Sequence, residues 1–217
     1  MWLCAHNEVF HSIQGEGLYM GIPMLFVRTN RCNLRCTWCD SKYTFTGGRE
    51  VPLEELLGGE VERSREQWVC FTGGGEPLLQ REALEFTKRV VSMGKKVLLE
   101  TSGSLPIKEF TFSPMVSIDM DIKTPSSGGE EKHFLKENLD YIRDNDYVKF
   151  VIASRGGDYD YSVGFIRSMQ RSVNVVFQPA WGTDMRWLAE AVVRDALPVR
   201  LLPQFHKFIW GEARGGV

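Results

Sequence analysis

Short runs of aliphatic, β-branched and aromatic residues recur along this chain with helix-spaced segments between them, and that alternation restricts the fold more than any single motif. The strand-like runs cover residues 24–30, 68–74, 96–103, 116–124, 147–154, 173–179 and 199–204. Between them, apolar residues fall three or four apart: Leu79, Ala83, Phe86 and Val90; Leu135, Leu139 and Ile142; Phe165, Ile166 and Met169; Trp187, Leu188, Ala191 and Val192. Strands alternating with helices predict parallel pairing through crossover helices, hence an α/β sheet or barrel. At 217 residues the chain suits one domain, 1–217, with a single core. No repeat or low-complexity segment interrupts it.

Most of the predicted strands run out into polar or glycine-rich residues: Asn30, then TGGGEP (72–77), ETSGS (100–104), DIKTPSS (121–127), QPAWGTD (178–184) and PQFH (203–206). In parallel α/β folds these carboxyl ends line one face, where ligands bind, so one site fed by all of them is expected. The formal charge of −2 comes without any dense basic run, which argues against a nucleic-acid groove and for a small-molecule ligand. No signal-peptide pattern or window of ~18 apolar residues occurs, so no membrane contact and a cytoplasmic location are expected. In that reducing compartment five cysteines, an odd number, read as metal or redox ligands rather than a disulfide frame.

Three of those cysteines, Cys32, Cys36 and Cys39, crowd into CNLRCTWC. Structural zinc is closed by four ligands in paired spacings, and no second pair follows. Cys70 sits in an apolar strand, where an inert buried thiol is the expectation; Cys4 and His11 are the other candidates for a fourth ligand. A cubane iron–sulfur cluster on three thiolates keeps one iron without a protein ligand, a place for a substrate or cofactor. Leu34 and Trp38 can screen such a cluster from water. The glycines of FTGGGEPLLQ (71–80) allow a ligand close to the backbone, and the absence of a following Gly-Lys-Ser/Thr excludes a Walker A loop.

Three cysteines at this spacing, with an aromatic residue before the third and GGGEP at the next strand end, resemble the radical S-adenosylmethionine (SAM) superfamily. The resemblance implies a 4Fe-4S cluster on Cys32, Cys36 and Cys39 whose free iron takes SAM. Residues 8–45, beginning EVFHSIQGEG, together with DIKTPSSG, VKFVI, QP and the tail VRLLPQFHKFIWGEARGG, are further similar to the 7-carboxy-7-deazaguanine synthase family. That likeness spans nearly the whole chain. It implies an incomplete (β/α)6 barrel and ring contraction of 6-carboxy-5,6,7,8-tetrahydropterin to 7-carboxy-7-deazaguanine with loss of ammonia, on the route to queuosine and other 7-deazapurines. SAM would be used catalytically, a 5′-deoxyadenosyl radical taking a hydrogen and regaining it. Mg²⁺, an external one-electron reductant such as flavodoxin or ferredoxin, and a homodimer also follow from the resemblance.

Carried over residue by residue, the resemblance places the pterin on Ile13, Gln14, Gly15, Glu16, Arg28, Thr72 or Gly73, Gln204 and His206. An amide such as Gln14 offers donor and acceptor to a ring edge, and the Arg28 fork suits a carboxylate. SAM would meet Gly74, Gly75, Glu76, Ser102, Asp121, Ile122, Lys123, Phe177, Gln178, Pro179 and Ala180. Ser41 would bind Mg²⁺ through its hydroxyl oxygen. Two departures stand out. Relatives carry serine-proline where this chain has Asp121-Ile122, and threonine where it has Gly73. His206 is a candidate proton donor; no other catalytic side chain is assigned. Two other readings share parts of the pattern: an activase that makes a glycyl radical on a partner, and a non-catalytic metal-binding module.

Overall fold

The computed structural model describes residues 1–3 and 8–211. Cys4 and His6, and the tail from residue 212, lie outside the described residues. The strands are β1 (Trp2–Leu3), β2 (Val9–Ile13), β3 (Pro23–Thr29), β4 (Arg49–Glu50), β5 (Trp68–Gly73), β6 (Lys96–Thr101), β7 (Val116–Asp121), β8 (Tyr147–Ile152), β9 (Asn174–Pro179) and β10 (Arg200–Leu201). The helices are α1 (Leu53–Leu56), α2 (Ala83–Ser92), α3 (Asp160–Ser168), α4 (Met185–Arg194) and α5 (Phe205–Trp210). All seven predicted strands form, most of them ending close to where a polar run begins.

In the sheet, β3, β5, β6, β7, β8, β9 and β10 lie side by side in that order, every pair parallel. The antiparallel strands β2 and β1 pair with β3, and β4 pairs with β1. The curved sheet is a barrel that does not close. Its open side is bridged by the segment after β2: Phe205 N–H donates to the Gly15 carbonyl at 2.8 Å, and the Tyr19 hydroxyl meets Ser117 at 2.7 Å.

Period-two alternation gives each strand two different faces. The outward residues Val69, Phe71, Val97, Leu99, Ile118, Phe150 and Phe177 form the main core with α2, α3 and α4, where Phe71 packs on Phe86 at 4.7 Å. The inward residues change character along the strand. Near the amino ends they are apolar: Met24, Phe26, Cys70, Leu98, Tyr147 and Val176 close the barrel floor. One step toward the carboxyl ends they are mostly polar, and the registers Arg28↔Thr72, Glu100↔Asp119, Asp121↔Lys149 and Val151↔Gln178 set them beside one another on neighbouring strands.

Two helical expectations differ from the structure. Leu139 lies in a tight 3₁₀ turn (Lys136–Tyr141) flanked by Leu135 and Ile142, not in an α-helix. Buried Asn138 spends its side chain on the Ile107 amide and the Gly103 and Leu105 carbonyls, which fixes the chain in a compact turn. Leu79 precedes α2 in a 3₁₀ turn begun by Pro77, and it is exposed. The hairpin strand β2 and helix α5 were not anticipated as elements.

Gly17 sits at φ +63°, where a β-carbon would lie 2.0 Å from the Tyr147 hydroxyl. Gly17→Ala should therefore cost about 2 kcal/mol from backbone strain and the displaced ring, seen as a lower urea midpoint at unchanged slope.

Candidate active site

A cavity of about 390 Å³ opens at the carboxyl ends of the strands. The three-cysteine loop forms one wall. Arg31 takes a left-handed φ of 71°, held by its amide on Asn30 Oδ1 at 2.9 Å and by its guanidinium stacked over Trp2 at 4.0 Å. The loop is pinned on its far side to residues 126 and 127: the Thr37 amide donates to the Ser127 carbonyl, and the Trp38 indole to Ser126 Oγ at 3.0 Å. Leu34 is buried, and its amide points at Cys32 Sγ at 3.3 Å. Burial above all pushes the three thiols up, Cys36 to about 11 with Asp121 and the other two sulfurs adding to it. Among the described residues, no three His, Cys, Asp or Glu side chains converge on one point as a mononuclear metal needs. A cubane asks for something else, since each thiolate meets its own iron.

The glycine loop is welded to this wall. Gly75 N–H reaches the Thr29 carbonyl and Glu76 N–H the Arg31 carbonyl at 2.8 Å. A β-carbon on Gly75 would lie 1.8 Å from the Arg31 oxygen. Glu76 is buried and fully engaged, accepting from Thr101 Oγ1, Ser102 N–H, Ser102 Oγ and Leu78 N–H. Its carboxylate clasps the loop to the end of β6, leaving ligand contact to the backbone of Gly74 and Gly75. Ser102 and Ser104 continue the network to Asn33 in the cysteine loop.

The polar layer forms the floor. Gln14 is buried; its amide donates to Glu100 Oε1 at 2.8 Å and accepts from Glu16 N–H at 3.0 Å. Thr72 Oγ1 donates to the other Glu100 oxygen. Lys149 Nζ donates to Glu16 Oε2 at 2.8 Å and Asp119 Oδ2 at 2.9 Å. Burial works against the Lys149 charge, yet Asp119, Glu16, Asp121 and Glu100 together hold it well above the usual ammonium range. Asp119 is raised to about 7, chiefly by burial and then by Glu100 and Asp121, against Lys149. Burial also opposes the Glu16 charge, but Lys149, His206 and Gln204 outweigh it and hold that carboxyl well below the usual range. Arg28 Nη1 donates to buried Glu8 at 3.0 Å, and its guanidinium lies 4.9 Å over Phe10.

The cavity gathers Ile13, Gln14, Gly15, Glu16, Arg28, the three cysteines, Ser41, Thr72 to Glu76, Ser102, Asp121, Lys123, Gln178, Ala180, Gln204 and His206. Three expected residues, Phe177, Ile122 and Pro179, are not among those that line it. The Phe177 and Ile122 side chains face the outer core, Phe177 edge-on to Phe150 at 6.0 Å. Pro179 stays in the β9–β8 pairing. Gln14, expected to read a ring edge, has its amide committed to Glu100 and Glu16. Strand alternation turns the Thr72 side chain inward, and the neighbouring Gly73 has no side chain to offer. Cys70 lies in the barrel floor, away from the other thiols, and burial holds it well above its usual range. His11 pairs with Glu66 at 2.9 Å outside the cavity. Glu100 and Lys149, missed from sequence, sit in the polar layer; inward phase in ETSG and VKFV was the signal for both.

The Radical SAM superfamily matches residues 26–177. The 7-carboxy-7-deazaguanine synthase of Thermoplasma acidophilum is 54% identical, the match covering 96% of this chain and 98% of the relative. That of Koribacter versatilis is 43% identical over 97% and 99% of the two chains. The crystal structure of QueE from Escherichia coli superposes with a TM-score of 0.75 at 23% identity, covering 92% of this chain and 93% of the other, and supports the fold. The chain belongs to the 7-carboxy-7-deazaguanine synthase family of radical SAM proteins.

Radical SAM membership brings a 4Fe-4S cluster and SAM. The residues fit both. The loop offers three thiols and no fourth, Gly73, Gly74 and Gly75 line the cavity without side chains, and the buried atoms Asp121 Oδ1 and Gln178 Oε1 have no hydrogen-bond partner among the described residues. Gly75→Ala should force the Arg31 peptide away and cut iron incorporation at least about threefold on anaerobic reconstitution, measured as iron per chain, while leaving thermal stability within ~2 kcal/mol of wild type.

Proposed function

We propose that this chain carries out the ring contraction of 6-carboxy-5,6,7,8-tetrahydropterin to 7-carboxy-7-deazaguanine with release of ammonia. One observation carries the reading: the three-thiol loop shares a single chamber with a layer of fixed carboxylates, a guanidinium and an imidazole. Its volume lies within the range of small-ligand sites, which favours a pterin over a partner protein's loop.

When bound, the cluster and SAM supply the one-electron chemistry that starts the reaction. The chain's own residues bind, orient and move protons. Glu16, kept ionised by Lys149, accepts from the amino-pyrimidine edge of the pterin, with Glu100 as a second acceptor beside it. Arg28 offers its fork to the substrate carboxylate. Ser41, whose hydroxyl donates to Asp40 Oδ1 at 3.0 Å, would join that carboxylate in holding Mg²⁺, a hard cation suited to oxygen ligands. His206 packs against Gly15 over the cavity and is placed to give the departing nitrogen a proton. Gly74, Gly75, Ser102, Asp121, Lys123, Gln178 and Ala180 would hold SAM. An external one-electron donor of the flavodoxin or ferredoxin type completes the scheme. The exposed apolar residues Phe208 and Ile209 on α5 suit a homodimer. No helix among the described residues is long and apolar enough to cross a membrane, and a cytoplasmic site of action suits the reduced thiols.

The test is anaerobic reconstitution followed by incubation with SAM, reductant and the carboxypterin. Carboxydeazaguanine and ammonia should appear in equal amounts, and Cys36→Ala should lower the rate at least about a thousandfold, since the chemistry has no other start. SAM cleavage without carboxydeazaguanine would overturn the reading.

A further inference from the structure

Glu16 follows β2 in the irregular segment that bridges the open side; its backbone N–H donates to Gln14 Oε1 at 3.0 Å, and its carboxylate is held by side chains. One oxygen accepts from Lys149 Nζ at 2.8 Å and the other from Gln204 Nε2 at 3.0 Å. Lys149 is 5% exposed, and its ammonium also donates to Asp119 at 2.9 Å, with Asp121 Oδ2 3.8 Å away. An ammonium has three hydrogens. Two are spent on Glu16 and Asp119, and the nearest further acceptor is Asp121, so the ammonium is committed chiefly to the carboxylates around it. The groups around it are Glu16 from the bridging segment, Asp119 and Asp121 from β7, Glu100 from β6, Tyr147 from β8, Lys123 beyond Asp121 and His206 from α5. Carboxylates outnumber cations there, and without Lys149 the repulsion from Asp119 and Asp121 would turn Glu16 away.

We infer that Lys149, at the cavity floor, is a positioning residue: its ammonium holds the Glu16 carboxylate aimed into the cavity for the donor edge of the pterin. The inference rests on the function proposed above. Lys149 acts on the substrate only through Glu16, and its effect falls on binding rather than turnover.

The experiment uses the full chain and the carboxypterin. Substrate affinity is measured by anaerobic equilibrium dialysis without SAM, and KM and kcat are measured on the reconstituted enzyme. Lys149→Met should weaken binding and raise KM about tenfold or more while kcat at saturation falls less than about threefold. In a Glu16→Gln background the same change should add less than about twofold, because the contact it supports is already gone. Since a lone removal strands Asp119, the paired Asp119→Asn/Lys149→Met chain, which leaves no orphan carboxylate on that side, must give the same KM-against-kcat split. Equal losses in both backgrounds, or unchanged affinity in Lys149→Met, would overturn the inference. Failure of wild type to bind the carboxypterin would instead overturn the proposed function.

Discussion

The carbonyl of Arg31 accepts the Glu76 amide hydrogen, and Gly75 lies over the same peptide with no room for a β-carbon between them. This contact sets the distance between the thiols and the strand end where a cofactor meets backbone. It demands an unfavourable left-handed Arg31, which is offset by the hydrogen bond its amide donates to Asn30 Oδ1 and by the stacking on Trp2. The Glu76 carboxylate then ties the pair to β6, and Asn33 closes the ring through Ser104. A loop free of helix or strand is thus fixed from three directions.

The second constraint is electrostatic. The layer above the apolar floor concentrates Glu16, Glu100, Asp119 and Asp121 against Lys149 and Lys123. Neighbours Glu100 and Asp119 sit in register on adjacent strands, a pairing of like charges that a purely structural layer would avoid. Burial of that kind costs stability and is characteristic of sites rather than of scaffolds. The excess of acceptors suits a ligand edge rich in N–H groups, and the unpartnered Gln178 and Asp121 oxygens extend the same character toward the cysteine loop.

Much of this was legible in the sequence because the relevant signals are local. Period-two runs ending in polar residues gave all seven parallel strands, and the cysteine spacing with the glycine run pointed to the mouth that β3 and β5 form. What escaped depended on phase or on distant partners. Phe177 and Ile122 stand beside true lining residues in the chain but point outward, and Gln14 carries suitable chemistry already consumed by Glu100. Lys149 reads as an ordinary strand lysine until the fold brings Asp119 and Glu16 to it. The turn at 136–141 has helical spacing, overridden by the buried Asn138 amide. Cys4 and the tail beyond 211 lie outside the described residues.

The joint between the Gly15 carbonyl and the Phe205 amide, with Gln204 on Glu16, has a temporal consequence. On the ribosome, the thiol loop and its glycine clamp are both made well before residues 204–206 emerge. The nascent protein therefore acquires the thiol loop first and the segment that closes onto Gly15 and Glu16 much later. The open side of the barrel is thus bridged only after the whole stretch from β6 to β10 has been made.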